Sequence, residues 1–134
     1  MKCNQLITPC ILALLWVCSL TTNLKADTKR IVLIAGPPSH GVLQHEHKAG
    51  CMLIERCLQG VSGVEVDVYT GGWPEAPNAL EGADAVVVFC TGGGSHLAIQ
   101  EGRLAQLRKV MSDGAGFGCL HYGVEVPKIG RAHV

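Results

Sequence analysis

Short apolar runs alternate with amphipathic stretches along the chain. Arg30 to Ala35 (RIVLIA) is β-branched and apolar with no polar alternation, and Gly36-Pro37-Pro38 closes it, the pattern of a strand buried on both faces. Gln44 to Leu58 carries Ala49, Met52, Leu53 and Cys57 at helical spacing and stops before Gly60, which predicts a helix with those side chains on its inner stripe. Val64 to Tyr69 (VEVDVY) alternates apolar and acidic residues, so a half-exposed strand at a sheet edge is expected. Beyond the break at Gly71-Gly72-Trp73-Pro74, Ala85 to Cys90 (AVVVFC) is a second continuous apolar run, ended by Thr91-Gly92-Gly93-Gly94, and predicts a central strand. Gln100 to Met111 places Leu104, Leu107 and Met111 on one helical stripe, with Arg103, Gln106 and Lys109 outside it and Asp113-Gly114 at its end. Gly116 to Leu120 reads as the last strand.

Short buried strands separated by helices predict an α/β fold with a doubly wound parallel sheet, because right-handed crossovers leave few other topologies. In such sheets ligands sit beyond the carboxyl ends of the strands. The residues following Ala35, Cys90 and Leu120 are therefore where function is to be sought.

Composition narrows the ligand. The 134 residues are 48% hydrophobic, with 11 Lys+Arg balancing 11 Asp+Glu, which suits one globular domain without the basic footprint that nucleic acid or an anionic membrane surface requires. A small neutral ligand is the expectation. Residues 1–26 read as a secretory signal: Lys2 precedes the apolar run Cys10 to Cys18, which is shorter than the roughly 20 residues of a membrane span, and Ala26 suits the position before cleavage. The expected product is an exported protein with no stable membrane insertion, an uncleaved anchor being the alternative. Residues 129–134 (Ile-Gly-Arg-Ala-His-Val) begin no element and read as a non-native scar, leaving residues 27–128 as an α/β domain incomplete at its C-terminus. Of seven cysteines, Cys3, Cys10 and Cys18 fall in the signal. Cys51, Cys57, Cys90 and Cys119 read as buried free thiols, with disulfide pairing as the alternative that export allows.

Each of three strand ends carries a histidine: His40 after the first strand, His96 after the third and His121 after the last. Their convergence predicts a shared site. Imidazoles there can act as acid or base near neutral pH, hydrogen-bond sugar hydroxyls, or, as a set of three with an open position, hold a divalent metal such as zinc. Gln44-His45-Glu46-His47 adds two more, but about 200° apart on a helix, and on opposite sides of an extended segment, His45 and His47 are not expected to serve one metal, so only one of them should turn inward. Glu46 suits the positive end of that helix as a cap. The glycine turn at Gly92, Gly93 and Gly94 offers backbone N–H groups to an anion or developing oxyanion; with no Gly-Lys-Ser/Thr following, it is no P-loop. Glu125, near the start of a following helix, is a candidate to orient an imidazole, with capping as the alternative. Tyr122 and Trp73 are candidates for stacking on a sugar ring or for packing.

Gly118-Cys119-Leu120-His121-Tyr122-Gly123, the Thr91 to His96 loop and the Gly36 to His47 stretch together resemble the ThuA-like (trehalose-utilisation) family. The resemblance covers Lys29 to Lys128. It implies the flavodoxin-like architecture of class I glutamine amidotransferases, of which this chain would be the N-terminal part, and a link to carbohydrate, a ketosugar or a trehalose-derived compound. In class I amidotransferases a nucleophilic cysteine stands in a Gly-x-Cys-x-Gly elbow; here His121-Tyr122-Gly123 occupies the Cys-x-Gly positions and Cys119 lies two residues earlier on the strand. Amidotransferase activity is accordingly not expected. The leading expectation is an exported carbohydrate enzyme in which His121, His40 and Glu125 carry the chemistry while Gly92, Gly93, Gly94, His96 and Tyr122 bind the ligand, with His40, His96 and His121 as the metal set. A noncatalytic carbohydrate-binding module of a longer exported protein and a Cys119-dependent hydrolase are the alternatives.

Overall fold

Four parallel strands, β1 (Lys29–Ala35), β2 (Val64–Thr70), β3 (Ala85–Phe89) and β4 (Gly116–Leu120), pair in the order β2-β1-β3-β4 in the computed structural model, which describes residues 27–100 and 102–126. Residues 1–26, read above as a signal, the tail 129–134 and Pro127-Lys128 lie outside the described residues. Ile31 pairs with Val66 on one side and Ala85 on the other, and Val88 pairs with Cys119. The chain steps from β1 to β2 in one direction, then crosses back over β1 to β3 and β4, so the winding direction reverses between β1 and β3. This is the doubly wound parallel α/β sheet that the alternation of runs predicts.

Both faces of the sheet are covered, which explains why β1 and β3 lack polar alternation. Val32, Ile34, Val86 and Val88 pack with Leu80, Leu97, Leu107 and Val110 on one face, while Leu33 and Ala35 pack with Cys51, Ile54, Val68 and Phe89 on the other. Helix α1 (His47–Leu58) covers the second face and α2 (Arg103–Ser112) the first. The edge position expected for β2 holds: Val66 and Val68 are half-buried and Glu65 and Asp67 exposed. Arg30 braces that edge, its Nε donating to Asp67 at 2.8 Å and its two terminal nitrogens to the carbonyls of Glu81 and Ala79 at 2.7 and 2.9 Å.

Both helices are rotated from expectation. In α1 the sequence pattern puts Ala49, Met52, Leu53 and Cys57 inside, whereas the buried residues are His47 and Cys51, and Leu53 is 61% exposed. Gly50 explains the rotation. A Cβ there would collide with the Phe89 ring, so the helix presents its side-chain-free position to the sheet and carries residues 47, 51 and 54 inward with it. In α2 Leu107 is buried as expected, but Val110 joins it while Leu104 and Met111 are exposed. Trp73 helps set that orientation: it packs on the core, donates from Nε1 to Gln106 Oε1 at 2.8 Å and lies 5.7 Å beneath the Arg103 guanidinium. Trp73 is thus a packing residue and not a sugar platform.

The four cysteines among the described residues stand as free thiols, and of them only Cys51 and Cys90 are fully buried; Cys119 is partly buried and Cys57 exposed, against the burial expected of all four. Among the described residues no helix is long and apolar enough to cross a membrane.

Candidate functional site: a cluster of imidazoles at the strand ends

The loop leaving β1 is folded back by two short bonds. His47 N–H donates to the His45 carbonyl at 2.8 Å, and Leu43 N–H donates to the Glu46 carboxylate at 2.8 Å. Leu43 and His45 take left-handed backbone conformations at φ 66° and 50°, each at a cost of roughly 1–2 kcal/mol for a side-chain-bearing residue. Helix α1 therefore starts at His47 and not at Gln44. Glu46 stands at the N-cap position without a side-chain capping bond, its carboxylate being engaged by Leu43. The left-handed turn at His45 also removes the premise that kept His45 and His47 apart: their ring centroids lie 6.5 Å from each other.

His121 enters from the end of β4, also left-handed at φ 55°, at the start of a short 3-10 turn spanning His121–Val124. This left-handed residue turns the chain sharply at the end of the strand, and the imidazole stands beside His45, Phe89 and Tyr122. The centroid of His45 lies 4.0 Å from that of His40 and 4.8 Å from that of His121. Tyr122 completes the group, 5.0 Å from His45 and 4.5 Å from His121. Phe89 links its two sides, 5.9 Å from His121 and 5.1 Å from His47. Burial first, then the neighbouring His40, His121 and His47 rings, hold the His45 pKa below the ordinary histidine value. A hollow of about 380 Å³ is lined by His40, His45 and His47 together with Gly36, Thr70 and Gly71. A second, of about 330 Å³, opens where the winding reverses, between Pro38 and Ser39 after β1 and Cys90 and Thr91 after β3.

The structure thus brings His40, His121 and Tyr122 together and adds both His45 and His47, of which only one was expected to turn inward. The Gln-His-Glu-His run was the available signal, but the left-handed turn at His45 that converges its imidazoles is one that its residue types do not call for. His96 has a different part. It is 1% exposed, its Nε2–H donates to the Gly123 carbonyl at 2.7 Å, and its Nδ1 accepts from Ala98 N–H at 3.1 Å. A carbonyl accepts and an amide donates, so both ring nitrogens are committed and the tautomer is set. His96 is a latch between the glycine loop and the turn after β4, and neither a ligand-binding group nor a metal ligand.

The metal set expected of His40, His96 and His121 accordingly does not fit, and among the described residues no group of three His, Cys, Asp or Glu side chains stands where it could hold a metal ion. The glycine loop is likewise occupied in part: Gly93 N–H donates to the Glu125 carbonyl at 2.8 Å. A Cβ on Gly92 would strike the Tyr122 carbonyl and come within 2.7 Å of Glu125 Cβ. Glu125, expected to steer an imidazole near the start of a helix, instead follows the 3-10 turn and clamps this loop through its main chain. Cys119 lies 3.9 Å from His96 Nε2, but that nitrogen bears the hydrogen given to Gly123. Burial, and behind it the neighbouring Cys90, raises the Cys119 thiol above its ordinary pKa, the opposite of what an attacking thiolate needs. No protein-family model, curated protein or solved structure matches the chain.

Proposed function

We propose that the imidazole cluster at the strand ends, together with the hollow that His40 and His45 line beside it, binds a carbohydrate and acts on it by proton transfer, with His121 and His40 as the acid–base groups, in the manner implied by the likeness to exported ThuA-like proteins. The observation that carries this reading is the approach of His40, His45 and His121 to 4.0 and 4.8 Å between centroids, beside Tyr122 at the carboxyl ends of the strands. Imidazoles exchange protons near neutral pH, the exposed Tyr122 ring beside His45 and His121 offers a face to a sugar, and a chain of zero formal net charge has no long-range preference for a polyanion. The resemblance points to a ketosugar or a trehalose-derived compound. Proton transfer next to a carbonyl is chemistry that a ketosugar invites and that the side chains present can perform.

Replacing His121 with Ala is expected to lower turnover of such a sugar by roughly 10²–10⁴-fold, the range contributed by a positioned acid or base. Turnover and sugar affinity both unchanged would sink the assignment. The exposure of Tyr122, 42%, favours a second reading, a binding module in which the sugar stacks on that ring without conversion. Calorimetry separates the two: a module gives saturable binding, weakened in Tyr122→Ala, with no product formed over hours.

A further inference from the structure

The apolar stripe that the sequence pattern assigns to the inner side of α1 faces solvent. The fit of Gly50 against Phe89 carries His47 and Cys51 inward, which leaves Ala49 and Cys57 exposed, Met52 48% exposed and Leu53 61% exposed. A shallow groove of about 400 Å³ runs along Ala49, Met52, Leu53 and Arg56, positions whose spacing of three and four puts them on one side of the helix. Single exposed apolar residues are ordinary, but a contiguous stripe of them marks a surface for association.

The charges beside the stripe point to its occupant. Lys48 stands in the first turn of α1 and Glu55 near its end, about two turns apart and so on the same flank of the stripe. The first turn holds no acidic residue, and a cation at the start of a helix with an anion toward its end is the reverse of what the helix dipole favours. Laid antiparallel against a copy of itself, the helix brings each Lys48 beside Glu55 of the second copy and opposes the two dipoles. Arg56 then crosses Ala49 of the second copy and reaches toward Glu46, where Leu43 N–H occupies Oε1 and Oε2 is a further acceptor. A surface complementary to its own reversal is what an isologous two-fold contact requires. We propose that α1 pairs antiparallel with α1 of a second copy of this chain, about a two-fold axis near Met52 and Leu53, with Lys48–Glu55 pairs along one flank. One helix of 12 residues buries less than the roughly 800 Å² per partner of a standard interface, so the dimer is weak and reversible. The pairing is independent of the carbohydrate reading.

The test is sedimentation velocity of the full chain between about 5 and 500 μM, the range in which a small interface associates. The average sedimentation coefficient should rise to that of a dimer and go no further, because a two-fold contact closes on itself. Leu53→Glu should weaken association by at least about tenfold while its thermal unfolding stays that of the wild type, the position being exposed. Lys48→Glu and Glu55→Lys should each weaken association alone. An equimolar mixture of those two variants should restore it, since in the mixed dimer both flanking pairs again join opposite charges. A chain that stays monomeric at the highest concentration overturns the proposal. So does association that Leu53→Glu leaves intact, that the mixture fails to restore, or that continues beyond two copies.

Discussion

His96 and His45 show how differently one residue type behaves under different surroundings. His96 is buried with both nitrogens paired to main-chain groups, so His96→Ala would leave the Gly123 carbonyl and the Ala98 amide unpaired. At about 1–3 kcal/mol for each of the two groups so stranded, the loss should be roughly 2–6 kcal/mol in urea unfolding at constant m-value. A variant that unfolds like the wild type but loses sugar affinity would instead return His96 to the binding site. His45 resists protonation in the folded state. On acidification through the ordinary histidine value of about 6.5, the unfolded chain takes up a proton that the folded one refuses, so stability present above that value is lost as pH falls toward the lowered folded pKa. The urea midpoint should therefore fall between about pH 7 and pH 5, and fall less in His45→Gln; an equal fall in both would remove His45 as its cause. Neither role was legible in sequence, where all the strand-end histidines look alike. What separates them is the partner that the fold supplies: the Gly123 carbonyl for His96, and for His45 the rings of His40 in its own loop and of His121 after the last strand.

The connecting elements are ordered by close approaches of main chain. The glycine loop after β3 and the turn after β4 touch at Gly92, where an added Cβ would meet the carbonyls of Tyr122 and Glu125 and the Glu125 Cβ. Main-chain atoms cannot swing aside as a flexible side chain can. Gly92→Ala should cost about 1–3 kcal/mol, the range for forced overpacking, and should disturb the Tyr122 ring resonances. Unchanged stability would mean that the two turns are not in contact. Strand positions were legible because each is a β-branched run closed by Gly or Pro, signals contained within the segment. The inner faces of the helices were less so. Around α1 apolar residues occur on nearly every side, and its rotation is set by the fit of Gly50 against Phe89, which lies nearly forty positions away on another strand.

At the scale of the whole molecule, the two helices seal opposite faces of one sheet, and the thiols report how well. Burial pushes Cys51 up to about 11 and raises Cys90 and Cys119, whereas Cys57 is exposed. With iodoacetamide at about pH 8, mass mapping should find Cys57 alkylated first and Cys51 modified roughly 100-fold more slowly or less, since the thiolate is the reactive form. Cys90 and Cys119 should lag as well. Rapid labelling of Cys119 would revive the thiol-nucleophile reading and contradict the packed sheet. The doubly wound order also decides where a site can form, because reversal of winding between β1 and β3 leaves room at their carboxyl ends.

From the sequence alone came the strands, their parallel arrangement and the sheet edge at which the histidine-bearing loops lie, because these follow from apolar periodicity, from Gly and Pro punctuation and from the handedness of crossovers. Only the tertiary structure decided which imidazoles meet. His45 joins His40 and His121 through a left-handed backbone turn stabilised by bonds within the folded loop, His47 turns inward because Gly50 fits against Phe89, and His96 is withdrawn because a carbonyl on another turn accepts its hydrogen. The last two are contacts with distant parts of the chain and the first is a backbone turn that its residue types do not demand, so a one-dimensional pattern of polarity carries no trace of them.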